Sequence, residues 1–235
     1  MLRGRLRGNQ PHKEHKDSSL SNLMVSTLTP LSGCPKDGDH LYLVERGLQY
    51  EAGLLVVIDG AKGLYKAVMS VLKGHACVQR CQYHKRQNVV SYLSKSEQSG
   101  IGRKMEAAYG KPTYEAATKA LAALKPRLKL MNQSALHSLE EGMEETLTLH
   151  RLGLTPMLKD SFRTTNCIEN VNSLLEQLTH NVRRWTNSSQ RHRWVATALL
   201  DIEPRLRRVK GYRHLPMLRQ AIQAELATKQ LAMTG

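Results

Sequence analysis

The sequence predicts an α/β fold. Leu54-Leu55-Val56-Val57-Ile58 is a short, continuous run rich in β-branched residues, and it reads as a fully buried strand. Lys62 to Lys73 carries Leu64, Val68, Val71 and Leu72 at helical spacing and stops at Gly74. Ala76-Cys77-Val78-Gln79-Arg80 reads as a second short strand. Strand, helix and strand in that order form a βαβ unit, hence parallel pairing.

The elements on either side follow from composition and period. Residues 1–40 mix Arg, Gly, Pro, Ser, His and Lys without sustained periodicity and read as an irregular or disordered leader. Leu41 to Gly47 reads as a short helix leading into the first strand. The stretch 85–155 is expected to be helical. Val89, Val90 and Leu93 form one apolar stripe. Ala116, Ala117, Ala120, Leu121 and Leu124 form a second, closed by Pro126, and Leu136, Leu139, Met143 and Leu147 form a third. No strand-like segment interrupts it, so it behaves as a helical insertion. A loop is expected over Gly153–Thr165, then a helix from about Cys167 to Thr179. The apolar positions Val171, Leu174, Leu175 and Leu178 would bury that helix against a sheet. The main domain then spans 41–225, and 226–235 reads as a tail.

Charge narrows the function classes. Lys and Arg number 35 against 20 Asp and Glu, a formal net charge of +15, which favours a polyanionic partner, most often nucleic acid. The excess concentrates between His180 and Arg219, where ten Lys and Arg face only Asp201 and Glu203, a local balance of +8. No run approaches the roughly 18 consecutive apolar residues of a membrane span. The four cysteines do not suggest a disulfide scaffold in 235 residues. They point to an intracellular protein with reduced thiols.

Two carboxylates stand out. Asp59 follows the first strand and precedes Gly60-Ala61-Lys62-Gly63, so it sits at the strand's carboxyl end, where ligand and catalytic groups collect in open α/β sheets. A turn or helix-cap role is the alternative at this position. Glu169 opens a helix, with Asn166 as N-cap and Glu169 reaching back as the alternative structural role. Brought together by folding, such a pair has the oxygen ligands that Mg²⁺ prefers. Two such ions activate an attacking hydroxyl and stabilise a leaving oxygen in phosphoryl transfer. Cys77, Cys81 and His84 raise the question of zinc, but Cys-x₃-Cys-x₂-His lacks a fourth ligand downstream. Trp185, beside Arg183 and Arg184, suits either base stacking or a buried anchor.

Several segments together carry a family resemblance. Val57-Ile58-Asp59-Gly60-Ala61-Lys62-Gly63-Leu64 resembles the second-aspartate segment of the Mutator-type insertion-sequence transposases of bacteria. Val78 to Val89, with Cys81 and His84, resembles their Cys-x-x-His segment. Thr165-Asn166-Cys167-Ile168-Glu169-Asn170-Val171-Asn172-Ser173 is similar to their catalytic-glutamate segment. Thr179 to Trp185 and Arg208 to Leu215 complete a match over roughly 43–225. The resemblance implies an RNase H-like core with a helical insertion between the second aspartate and the glutamate. It implies DDE chemistry, in which two aspartates and one glutamate hold two Mg²⁺ ions and DNA strands are cut and joined. Asp59 and Glu169 are then catalytic and metal-binding, and Cys81 and His84 support the site. Lys62, Arg183, Arg184, Trp185, Arg207, Arg208, Lys210 and Arg213 are the DNA-binding candidates. Element ends and target DNA are the partners, a homo-oligomer is the family's expected assembly, and the location is cytoplasmic, on the nucleoid when DNA-bound.

The sequence departs from that pattern upstream. Only Asp17, Asp37 and Asp39 precede Asp59, and Asp37-Gly38 lies 22 residues before it. At about 3.3 Å per residue and five or six residues per strand, that gap cannot hold the strands and helix expected between the two aspartates. The expectation is an incomplete core without the first aspartate. The chain is therefore expected to be a truncated transposase copy, inactive alone, with a non-catalytic DNA-binding fragment and an inert remnant of a decayed element as the alternatives.

Overall fold

The structure, a computed structural model, describes residues 48–234. The leader, the short helix read at Leu41–Gly47, and Asp17, Asp37 and Asp39 lie outside the described residues.

The βαβ unit forms as the sequence dictates. Strands β1 (Leu54–Ile58) and β2 (Ala76–Arg80) are buried along their whole length. They pair in parallel from Leu54 opposite Ala76 to Ile58 opposite Arg80. Helix α1 (Lys62–Leu72) joins them and buries Leu64, Ala67, Val68 and Leu72. It ends because Lys73 turns left-handed at φ 42°, with Gly74 following at φ 88°.

Alternation along the strands creates two apolar faces. Leu54, Val56 and Ile58 pack with Leu64, Val68 and Leu72 of α1. Leu55, Val57 and Cys77 face the other way, onto Leu149, Leu158, Phe162, Leu218 and Ile222. Those partners come from α7 (Thr148–Arg151), α8 (Thr155–Phe162) and α11 (Leu215–Thr234). The tail boundary read at 225 therefore falls inside a helix whose Leu226 is in this core.

The stretch between β2 and α7 is helical, as the apolar stripes require. It holds α2 (Gln82–Ser91), α3 (Lys95–Tyr109), α4 (Tyr114–Ala122), α5 (Lys125–Met131) and α6 (Gln133–Glu140), then a 3-10 turn, Glu144–Leu147. Its helices enclose a core of their own, with Val89, Ile101, Met105, Leu121, Leu128, Leu139 and Leu147. Pro126 does not close a helix but opens α5, where a missing amide hydrogen costs nothing.

A polar seam joins this helical part to the sheet. Gln79, fully buried, donates to Arg80 O and Thr146 O, both at 2.8 Å, and accepts from the Leu149 amide at 2.8 Å. Thr148 Oγ1 donates to Val78 O at 2.6 Å, and Gln82 Nε2 to Thr146 O at 2.9 Å. Each of these buried polar groups thus has a partner, as an interior seam needs.

Two sequence expectations are corrected beyond this point. The loop expected over Gly153–Thr165 contains α8, whose Leu158 and Phe162 stand one turn apart and are buried. Pro156 sits in its first turn, a position that starts helices rather than breaking them. Helix α9 (Asn166–Thr179) is not buried against the sheet: none of its residues is buried, and it packs on α10 (Ser188–Ile202). The described part is thus mostly helical with a small parallel sheet, and no described helix is long and apolar enough to cross a membrane.

Candidate functional site

Asp59 leaves β1 into a turn that its own side chain closes. Oδ1 accepts the Ala61 amide at 2.9 Å. Gly60 takes φ 108°, which favours glycine. This is the turn role that the sequence offers as the alternative for Asp59, and it leaves Oδ2 without a hydrogen bond among the described residues. Parallel register brings the next element alongside. The Cys81 amide donates to Ile58 O at 2.7 Å, so Cys81 stands beside Asp59 at the carboxyl edge of the sheet.

Cys81 is fully buried and precedes α2, which carries His84. The Gln82 amide donates to Arg163 O at 2.9 Å, tying the start of α2 to the end of α8. Two residues on, Thr165 turns the chain into α9. Thr165 is 1% exposed, and its hydroxyl is the hub of the site. It lies 2.6 Å from Glu169 Oε1, 3.3 Å from His84 Nδ1 and 3.4 Å from Cys81 Sγ. His84 Nε2 is 3.6 Å from the same Glu169 oxygen.

Thr165 also corrects the helix-start reading. Asn166 is not the cap but the first helical residue, and Thr165 precedes it. Glu169 does not reach back to the backbone. Its carboxylate takes the Thr165 hydroxyl instead, and its side chain stays half-exposed. The hydroxyl has one proton for three neighbours. The shortest contact assigns it to the carboxylate, and Cys81 Sγ and His84 Nδ1 stand against the same oxygen at 3.4 and 3.3 Å. Through Cys81 and Thr165, contacts run from Ile58, the residue before Asp59, to Glu169.

Cys77 projects into the apolar core on the opposite sheet face from α1, and burial pushes its thiol up to about 11. Among the described residues no group of three His, Cys, Asp or Glu side chains is arranged to hold a metal. Asp59 and Glu169 each keep an oxygen free of hydrogen bonds among the described residues. Carboxylate oxygens are the donors that Mg²⁺ prefers, and it keeps several waters and needs few protein ligands.

The basic candidates divide by position. Lys62 at the start of α1 pairs with Glu141 at 3.4 Å. Arg183 and Arg184 are exposed between α9 and α10, and Trp185 is half-buried. Arg207 and Arg208 are exposed in an irregular loop rather than on a helix face. That loop is mounted firmly. The Lys210 amide donates to Ser161 Oγ at 3.0 Å, and Gly211, at φ 79°, lies so close to Met157 O that a Cβ would stand 2.2 Å away. Arg208 and Arg213 stack on Tyr212 at 5.4 and 5.9 Å, and Lys210 Nζ is 3.7 Å from Asp160. The loop therefore hangs from α8, three residues before Thr165. Sequence reasoning missed Thr165, because Asn166 is the stronger capping signal, and Trp194, which is 46% exposed on α10 among arginines.

No curated protein matches the chain. Residues 41–207, well over half of the chain, match the family described as Transposase, Mutator family. The chain belongs to the Mutator family of transposases.

Proposed function

We propose that this transposase acts on DNA by two-metal DDE chemistry, with Asp59 as the second aspartate and Glu169 as the glutamate. The observation that carries the reading is the run of contacts from Ile58, the residue before Asp59, through Cys81 and Thr165 to Glu169. It supports both carboxylates serving one edge of an RNase H-like core interrupted by the helical stretch. A bound pair of divalent ions would activate the attacking hydroxyl and stabilise the leaving oxygen. Asp59 contributes its free oxygen, held in direction by the Ala61 amide. Glu169 contributes the oxygen opposite the one that Thr165 holds, while His84 stands against the held one. Among the described residues no third carboxylate joins them.

The basic loop Leu206–Arg213 and the exposed Arg183 and Arg184 give the DNA backbone its counter-charge. A second reading, a DNA-binding chain without strand-cleaving activity, is favoured by the lack of a three-carboxylate cluster among the described residues. Strand cleavage of element-end DNA with Mg²⁺ or Mn²⁺ separates the two. Cleavage by the parent chain that is lost in both Asp59→Asn and Glu169→Gln supports the first. DNA binding without cleavage supports the second.

A further inference from the structure

We infer that Arg80 is a positioning residue for Asp59, which it holds by clamping the Asp59–Gly60 turn to the end of helix α6. The inference rests on the reading of Asp59 as a metal-binding carboxylate. Arg80 is the last residue of β2, opposite Ile58, and its side chain is only 10% exposed. A guanidinium this buried is not offered to a DNA phosphate. Its five donors go inward instead.

One arm, Nη2, donates to Gly60 O at 2.7 Å. The other, Nη1, donates to Glu141 O at 2.8 Å, and the Glu141 carboxylate lies 3.8 Å from Nη2. The group is wedged between two glycines. A Cβ on Gly60 would stand 2.8 Å from Arg80 Nε, and one on Gly142 would stand 2.2 Å from Nη1. Both glycines have positive φ, at 108° and 62°, so each turn is shaped to let the planar group in.

The far anchor is a helix C-terminus, where carbonyls lack intrahelical partners and the dipole favours cations. Lys85, itself buried, donates to Ser138 O and Glu141 O at that terminus, and Lys62 pairs with the Glu141 carboxylate at 3.4 Å. Three cations from the βαβ side thus converge on one helix end. Only Arg80 also reaches the carbonyl of Gly60, the residue directly after Asp59. Lys62 and Lys85 fasten the helical part to the sheet, and Arg80 passes that fastening on to the turn whose amide holds Asp59 Oδ1.

The test is amide hydrogen exchange by NMR on the whole chain, with Arg80→Met and Arg80→Lys, and with Mn²⁺ as the metal probe. Arg80→Met should speed exchange of the Ala61 amide by about tenfold, the worth of one charged hydrogen bond. The Leu54 and Cys81 amides, which donate across the strands, should keep their protection, and Mn²⁺ affinity should fall. Arg80→Lys, which retains charge but not the two-armed geometry, should show the same loss at Ala61. Unchanged Ala61 exchange in Arg80→Met would overturn the inference. So would loss of protection at Leu54 and Cys81 in both variants, because Arg80 would then hold the fold rather than the turn. Faster Ala61 exchange in a parent background that binds no Mn²⁺ would overturn the metal reading of Asp59 and leave Arg80 as the holder of its turn.

Discussion

The Thr165 hydroxyl donates to Glu169 Oε1 at 2.6 Å, from one helical turn earlier in the chain. Thr165 is buried and Glu169 half-exposed, so a fixed group on the protein side orients a carboxylate whose other side is open. Loss of the hydroxyl alone tests that relationship. Thr165→Val keeps the shape and should weaken Mn²⁺ binding by about tenfold, in line with removal of a charge-assisted hydrogen bond. Thr165→Ser keeps the donor and should stay close to the parent. Equal affinities for Val and Ser variants would remove Thr165 from the site.

DNA binding should depend on the mounted basic loop. Replacing Arg207, Arg208 and Arg213 by Ala should weaken duplex binding for all sequences alike. The slope of log affinity against log salt should flatten by about 0.9 for each phosphate no longer neutralised. An unchanged slope would place the DNA elsewhere on the molecule.

Lys85 sets an alkaline dependence of stability. Burial first, and the charge of Arg80 second, push its amine down to about 8 from 10.5. Between those values the unfolded chain holds a proton that the folded chain has released. The unfolded state therefore binds more protons, and this group makes stability rise with pH across that window. The slope it adds is at most about 1.4 kcal/mol per pH unit. Urea unfolding of Lys85→Met should lack that rise, and an identical pH profile would contradict the assignment.

Glu225 works at the acid end. Burial raises its carboxyl, but the bidentate Arg151 contact, at 2.8 and 3.1 Å, and Lys229 at 2.7 Å outweigh burial and hold it below its usual value. Its stabilisation is present above the ordinary carboxylate range and is lost as pH falls through the lowered value. Glu225→Gln should cost about 2 kcal/mol at neutral pH and flatten the acid limb, as followed by denaturation from pH 7 downward.

The strands were legible to the residue, because β-branched runs bounded by turn residues leave little choice. The helical stretch was legible from its apolar period. Helix α8 was not, since Gly153 and Pro156 punctuate the sequence like a loop, while Leu158 and Phe162 needed the sheet beneath them to show that they were core. The stripe of α9 was visible, but its packing on α10 rather than on the sheet is a tertiary choice. Asp59 and Glu169 could be named as candidates from strand end and helix start. What joins them could not, because Thr165 meets His84 and Cys81 across 81 and 84 positions of sequence.

The claim that Asp59 and Glu169 hold a divalent ion together is tested most directly by Mn²⁺ titration of the parent chain, Asp59→Asn and Glu169→Gln, read by water-proton relaxation. Saturable binding in the parent that is lost in each single variant is the result this account predicts. Binding of equal strength in either variant would contradict it.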